Sequence, residues 1–257
     1  MKEILHHKYY DEPSVFQPEN LLREARRQKN KKQCDVPQIC FLDPDGDLAD
    51  YLISQGKASL NECWACYHSK LYSFEWEGLS IGILPCIVGA PYAVLVSEQL
   101  FVSGCQLLIS VTSAGIISSA PNLKRFALIT HAIRDEGTSY HYLAPGLPAV
   151  LNQKLHDQLR SNIDHTNCPF FVAASWTTDA PYRETQRAID YMQRKNITCV
   201  EMEAAALYAL SATKNYKIIC FAHLTNSMAQ NEGDFEKGEA FGSIDTLALL
   251  SYLFKIL

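Results

Sequence analysis

From Pro37 onward, short runs rich in β-branched and aromatic residues alternate with longer segments built from good helix formers. The runs Ile39–Leu42, Tyr72–Trp76, Ser80–Leu84, Leu107–Val111, Phe126–Thr130, Phe170–Ala174, Thr198–Val200 and Ile218–Leu224 predict strands. The segments Leu48–Gln55, Ala93–Ser103, Ala149–Ser161, Glu184–Lys195, Glu203–Lys214 and Ile244–Phe254 predict helices. Such alternation implies one central sheet covered by helices, an α/β domain over residues 37–257. Residues 1–36 read as an N-terminal arm. Within it, residues 17–36 carry Arg23, Arg26, Arg27, Lys29, Lys31 and Lys32, and with Leu21 and Leu22 they read as a short amphipathic helix. A solvated face or a subunit-packing arm fits that helix better than a nucleic-acid contact.

Composition narrows the class. The 257 residues are 47% hydrophobic and 20% charged, as expected of a globule with a substantial core. A net charge of -5 argues against nucleic acid as partner. Residues 78–97 carry no charge, but Pro85, Pro91, Gly82 and Gly89 predict a strand, a turn and a helix rather than a membrane span. The first ten residues lack the apolar core of a signal peptide, so the expected location is the cytoplasm. Cys40, Cys86, Cys199 and Cys220 sit in apolar runs and read as small core residues of a reduced protein. Cys63 and Cys66 form a CxxC, but no second pair completes a zinc site, and the histidines show no metal-ligand spacing. No metal is expected.

The segment Val200-Glu201-Met202-Glu203-Ala204-Ala205-Ala206 sets two carboxylates at a strand-to-helix junction in an otherwise apolar stretch. Burying them is costly unless something donates to them. A helix N-terminus suited to its dipole is the plain reading. A bound sugar is the other, because an ionised carboxylate accepts hydroxyl groups.

The same segment resembles the Val-Glu-Met-Glu-x-Ala-Ala signature of the nucleoside phosphorylase and uridine phosphorylase superfamily. Four more segments fall in the expected order: Val88-Gly89-Ala90-Pro91, Thr112-Ser113-Ala114-Gly115, Arg134-Asp135-Glu136-Gly137-Thr138-Ser139 and Thr178-Asp179-Ala180-Pro181-Tyr182. The resemblance implies a single three-layer α/β domain with a mixed, partly barrel-like central sheet. It also implies a pentosyltransferase that cleaves a nucleoside with inorganic phosphate as co-substrate, without another cofactor. Family members assemble as dimers, trimers or hexamers, so a homo-oligomer is expected, with His6, His7 or Gln17 of the arm as residues lent across an interface.

Carried over residue by residue, the resemblance gives Glu203 the ribose hydroxyls, with Glu201, Met202 and Thr112 beside the sugar. Tyr182, Gln186, Arg187, Val200, Thr225 and Asn226 are expected at the base, and Asn226 with Glu203 is expected to be catalytic. Purine-specific relatives carry Asp at the place of Asn226, and uridine phosphorylases carry Asn. An amide cannot act as an acid but does hydrogen-bond the base. Thr112, Ser113, Gly89 and Arg134 are expected on the phosphate side. That side departs furthest from the pattern, because Gly46, Ile109 and Tyr67 stand where the family places its arginines. Guanidinium forks are the usual way to fix a phosphate. Arg134, Lys70 or His68 are the candidates to compensate. Their loss keeps a hydrolytic nucleosidase as the alternative, and a nucleoside-binding protein without turnover as a third reading.

Overall fold

The computed structural model describes residues 8–118, 124–164, 166–228 and 232–257. The chain begins with helix α1 (Pro18–Lys29), which buries Leu22 and Ala25 against Ala65 and Val102 and stops at Asn30 in the left-handed region. Ten strands and six further helices follow: β1 (Ile39–Asp43), α2 (Asp47–Ser54), β2 (Ala58–Leu60), β3 (Tyr72–Trp76), β4 (Leu79–Pro85), α3 (Ala90–Phe101), β5 (Leu107–Ile116), β6 (Phe126–Asp135), β7 (Ala149–Val150), α4 (Gln153–Asn162), β8 (Phe170–Thr178), α5 (Gln186–Arg194), β9 (Cys199–Glu201), α6 (Ala204–Lys214), β10 (Lys217–Asn226) and α7 (Ser243–Ile256).

Five strands close on themselves. β5 pairs with β10, β10 with β6, β6 with β8, β8 with β9, and β9 returns to the far end of β5. The first half of β5 also carries β1, and β4, β3 and β2 extend that wing. The sheet is therefore mixed and partly barrel-like, flanked by helices, as expected. A closed ring leaves no free edge, and it gathers strand ends around one mouth. Helix α6 is buried along its whole first two turns, consistent with its Ala- and Leu-rich sequence.

Several boundaries differ from the sequence reading for local reasons. Helix α4 starts at Gln153 rather than Ala149, because the Asn152 side chain accepts from Lys154 N (3.0 Å) and Leu155 N (3.4 Å). Ala149 and Val150 instead pair with β6. Helix α3 starts earlier than expected, at Ala90, with Pro91 in its first turn, where the missing N–H costs nothing. β5, β6 and β8 run on into the polar residues 112–116, 131–135 and 175–178. Residues 78–97 form β4, the Gly89 turn and part of α3, and among the described residues no helix is long and apolar enough to cross a membrane.

The cysteines depart from expectation in two places. Cys86 is exposed, with φ 59°, at the end of β4. Cys63 is bonded to Cys34 rather than to its CxxC partner Cys66, which is a buried free thiol. That disulfide joins residues separated by 29 positions, so no local spacing announces it. Lys29 Nζ on the carbonyls of Ala65 (3.2 Å) and Cys66 (2.5 Å) ties the same arm to the same loop.

Candidate active site

The two signature carboxylates have different surroundings. Glu201, at the end of β9, is buried, and its Oε1 accepts from Ser175 Oγ (2.9 Å) and Thr177 Oγ1 (2.5 Å). Its Oε2 accepts from the backbone N–H groups of Glu203 and Ala204, both at 2.7 Å. Burial raises its pKa, and those four donors oppose the rise. Glu201 thus satisfies the open N-terminus of α6, the plain reading of a carboxylate at that place. Thr177 Oγ1 also accepts from Ala205 N (3.0 Å), which fastens β8 to the same helix end. Expected beside the sugar, Glu201 caps the helix, with all four of its acceptor directions in use.

Glu203 is 1% exposed. Its Oε1 accepts from Gly89 N (2.6 Å), while Oε2 has no partner among the described residues. Burial, then the charge of Glu201, pushes its pKa up to about 8, against the pull of the Gly89 N–H and the Thr112 hydroxyl. Such a shift favours the neutral carboxylic acid over the carboxylate. Gly89 has φ 92° and ψ 146°, a conformation that glycine alone adopts freely, and this aims its N–H at Glu203. Gly89, expected on the phosphate side, is committed to the carboxylate instead. Thr112 stands beside Glu203 on β5, and Met202, half-buried, lies between the two carboxylates in sequence.

A second group gathers at the ends of β10, β5 and β9. Asn226 pairs with Gly115 across the ladder, and Val200 pairs with Gly115 from the other side. A Cβ at Gly115 would lie 2.9 Å from Met228 Sδ, 3.2 Å from Val200 Cγ1 and 3.6 Å from Asn226 Oδ1. Only glycine leaves room there. The Asn226 amide is fixed on both sides: Nδ2 donates to Thr225 Oγ1 (3.1 Å) and Oδ1 accepts from Met228 N (2.9 Å). Val200, Thr225 and Asn226 are thus brought together as expected residues, and Met228 joins them. Met228 carried no sequence signal, because its place follows from a left-handed backbone (φ 69°) two residues after Asn226.

The other expected base residues are not gathered. Tyr182 is 99% exposed in the turn Pro181–Arg183. Gln186 donates to Asp190 (2.7 Å) on its own helix, and Arg187 is exposed. Helix α5 seats Ile189 and Met192 against Trp176, Ile197 and Val200, and its first turn is left in solvent.

Around Gly46, one of the three positions expected to carry an arginine, the chain carries Asp43, Asp45 and Asp47. Arg134 does not compensate, since four of its N–H groups go to Ser139 Oγ (2.8 Å) and the carbonyls of Ala144 (2.8 Å), Leu147 (2.9 Å) and Leu143 (2.6 Å). It pins the 143–147 loop. Tyr67 donates to Gln28 (2.9 Å), and Ile109 is fully buried. Ser113 faces away from Thr112 across the pleat and donates to Asp45 Oδ1 (3.0 Å). Lys237 bridges Asp45 (3.1 Å) and Asp47. Burial works against its charge, but the Asp47 hydrogen bond and the Asp45 charge outweigh that and hold its pKa above the usual value. Asp43 is buried and accepts from Ala49 N (2.9 Å), and burial lifts its pKa to about 7. Of the arm residues, His6 and His7 lie outside the described residues, and Gln17 bonds to Ser14 O at the start of α1. Among the described residues no cluster of His, Cys, Asp and Glu is arranged to hold a metal ion.

Comparison with known proteins bears on this geometry. The family model described as "Phosphorylase superfamily" matches residues 43–250. A guanosine phosphorylase from Halorubrum lacusprofundi is 24% identical over 58% of this chain and 61% of its own length, so less than two thirds of that relative is spanned. A uridine phosphorylase from Thermococcus kodakarensis is 22% identical over 73% of this chain and 76% of its own. Among solved structures, a uridine phosphorylase from Vibrio fischeri ES114 superposes with a TM-score of 0.71 at 20% identity, covering 89% of this chain and 98% of that one. A purine nucleoside phosphorylase from Toxoplasma gondii, in complex with immucillin-H, gives 0.71 at 15% identity over 86% and 90%.

Proposed function

The chain belongs to the phosphorylase superfamily, and from that premise we propose that it cleaves the N-glycosidic bond of a nucleoside with phosphate, releasing ribose 1-phosphate and free base. The observation that carries this reading is the unpartnered, buried Oε2 of Glu203 beside the Thr112 hydroxyl. Two ribose hydroxyls donating to Glu203 supply the missing partner and displace its proton. The resulting carboxylate then faces a sugar that gains positive charge as the base departs, and charge of that sign in a dry site lowers the barrier.

At the base, Asn226 Oδ1 is already engaged by Met228 N–H, so the amide offers an N–H of Nδ2. That donor suits a carbonyl or ring-nitrogen acceptor. Uracil and 6-oxopurines both carry such acceptors, and the names of the similar proteins, guanosine phosphorylase and uridine phosphorylase, lie within that range. The base leaves hydrogen-bonded rather than protonated by a side chain, since an amide is no acid.

A second reading, hydrolysis by water, has its own support. Asp45 and Asp47 meet one lysine on the nucleophile side, with Asp43 close enough to feel their charge, and such a balance disfavours a phosphate dianion. Release of base from uridine, inosine and guanosine, followed with and without inorganic phosphate, decides between them. Strict phosphate dependence supports phosphorolysis. Equal rates without phosphate make the enzyme a hydrolase, and no release by folded protein overturns both.

A further inference from the structure

The CxxC at residues 63–66 takes no part in the candidate active site, and its first cysteine is committed elsewhere. Cys63 is bonded to Cys34, in the connection between α1 and β1, while Cys66 is a buried thiol whose sulfur accepts from His68 N (3.4 Å). The bond therefore fastens the N-terminal arm to the loop at 61–68. Its two residues are unequally placed, with Cys34 exposed and Cys63 half-buried. An exposed disulfide is open to thiol exchange, and such bonds are the labile ones.

Little else holds the arm there. The buried residues of α1 are Leu22 and Ala25, in a small apolar cluster with Ala65 and Val102. Polar ties run from its C-terminal end to the same loop: Tyr67 donates to Gln28 (2.9 Å), Lys29 Nζ reaches the carbonyls of Ala65 and Cys66, and Lys31 Nζ the carbonyl of Glu62 (3.1 Å). A segment with so little buried apolar surface opens locally before the domain unfolds. Lys29 and Lys31 also set two ammonium groups on the loop that carries Cys63. Cations beside a sulfur favour its thiolate and make it a better leaving group.

We propose that Cys34–Cys63 is a redox-sensitive clasp that decides whether the N-terminal arm is docked, opened by a dithiol reductant and closed by oxidised glutathione. In opening, a thiolate of the reductant attacks the exposed Cys34 sulfur. The S–S bond breaks with its electron pair leaving on Cys63, which takes up a proton. The reductant's second thiolate then attacks its own sulfur in the mixed disulfide and releases Cys34 as a thiol. Two electrons pass to the protein, and the reductant ends as a disulfide. Closure is the reverse exchange, in which oxidised glutathione gives up its disulfide for two thiols. With the clasp open, α1 is left with Leu22, Ala25 and a few hydrogen bonds, and it lifts away.

The test is limited trypsin digestion of the full native chain before and after dithiothreitol, with thiols trapped by iodoacetamide and located by mass spectrometry. Untreated protein should yield a peptide cross-linked through Cys34 and Cys63. Dithiothreitol without denaturant should replace it by alkylated Cys34 and Cys63, with cleavage after Arg27, Lys31 or Lys32 about tenfold faster. Oxidised glutathione should restore both the bond and the slow cleavage. Cys34→Ser should be cleaved at the fast rate in either condition, and Cys66→Ser should keep the redox response. Thermal melts establish that each variant is folded. Absence of the cross-linked peptide, a bond that dithiothreitol opens only in denaturant, or equal cleavage with the bond open overturns the proposal. A redox response that persists in Cys34→Ser, or is lost in Cys66→Ser, assigns the effect to another pair of cysteines and overturns it as well.

Discussion

Two polar groups sit on opposite faces of β5, one around Glu203 and one around Asp45, and were built to different extents. On one face, Gly89, Thr112 and Glu201 converge on Glu203 and leave a single buried oxygen unpaired. On the other, Ser113, Asp45, Asp47 and Lys237 satisfy one another. The first face is poised for a ligand because it is incomplete. The second is closed by its own ion pairs. Under the proposed function, the sugar grip is thus separable from the choice of nucleophile.

The comparison breaks most visibly at Glu203. Glu203→Ala should lower kcat/KM by about a thousandfold, the scale of two hydrogen bonds to a charged group, with little loss of melting temperature. Glu201→Ala should behave in the opposite way. It strips four donors of their acceptor, so unfolding in urea should reveal a loss on the order of 3 kcal/mol, with activity falling only as the folded fraction falls. If both variants lose activity equally at full stability, the division between capping and sugar-binding carboxylate is wrong.

Gly89→Ala sharpens the same face. Its φ of 92° disfavours any side chain, and about 1–3 kcal/mol of strain should turn the N–H away from Glu203. Steady-state kinetics should then record a loss of roughly tenfold to a hundredfold, concentrated in KM for the nucleoside.

The two faces also answer to pH together. Glu203 and Asp43 have folded pKa values of about 8 and about 7, above their ordinary 4.5 and 3.8. Groups raised on folding contribute stability at acid pH and lose it as pH climbs through the folded values. The ligand-free protein should therefore melt at progressively lower temperature from pH 5 to pH 8.5. Glu203→Gln should flatten much of that slope, and nucleoside binding should release a proton, measurable by calorimetry in buffers of different ionisation heat. The smallest effect is expected at Asp45→Asn, which removes one charge from the exposed rim. It should lower KM for phosphate about twofold to fivefold, the scale of a partly screened charge. An unchanged KM would remove the acidic loop from the nucleophile's path.

Much of this was legible in the residues. The alternation of runs located every long strand, and the Glu201–Glu203 spacing marked the strand-to-helix junction where two buried carboxylates lie. What escaped is what depends on contacts distant in sequence. The polar ends of β5 and β8 look like loops because their side chains serve the mouth of the ring rather than its core. Glu201 and Glu203 are identical in type, and only the donors at Ser175, Thr177 and Gly89 separate a cap from a free acid. Arg134 reads as a phosphate ligand until the carbonyls of the 143–147 loop claim it. Tyr182 and Arg187 fell in register with a motif and Gln186 stood beside its place, but the seating of Ile189 and Met192 leaves all three in solvent.

The order of strands in the ring also governs how the chain must be made. β10 is the last of the described strands to be synthesised, yet it is the partner of both β5 and β6, which emerge about a hundred residues earlier. Until residue 226 is synthesised, those two strands carry open edges, and the half-made ring is an aggregation hazard. Chains truncated before Lys217 should accumulate with chaperones rather than as a smaller folded domain.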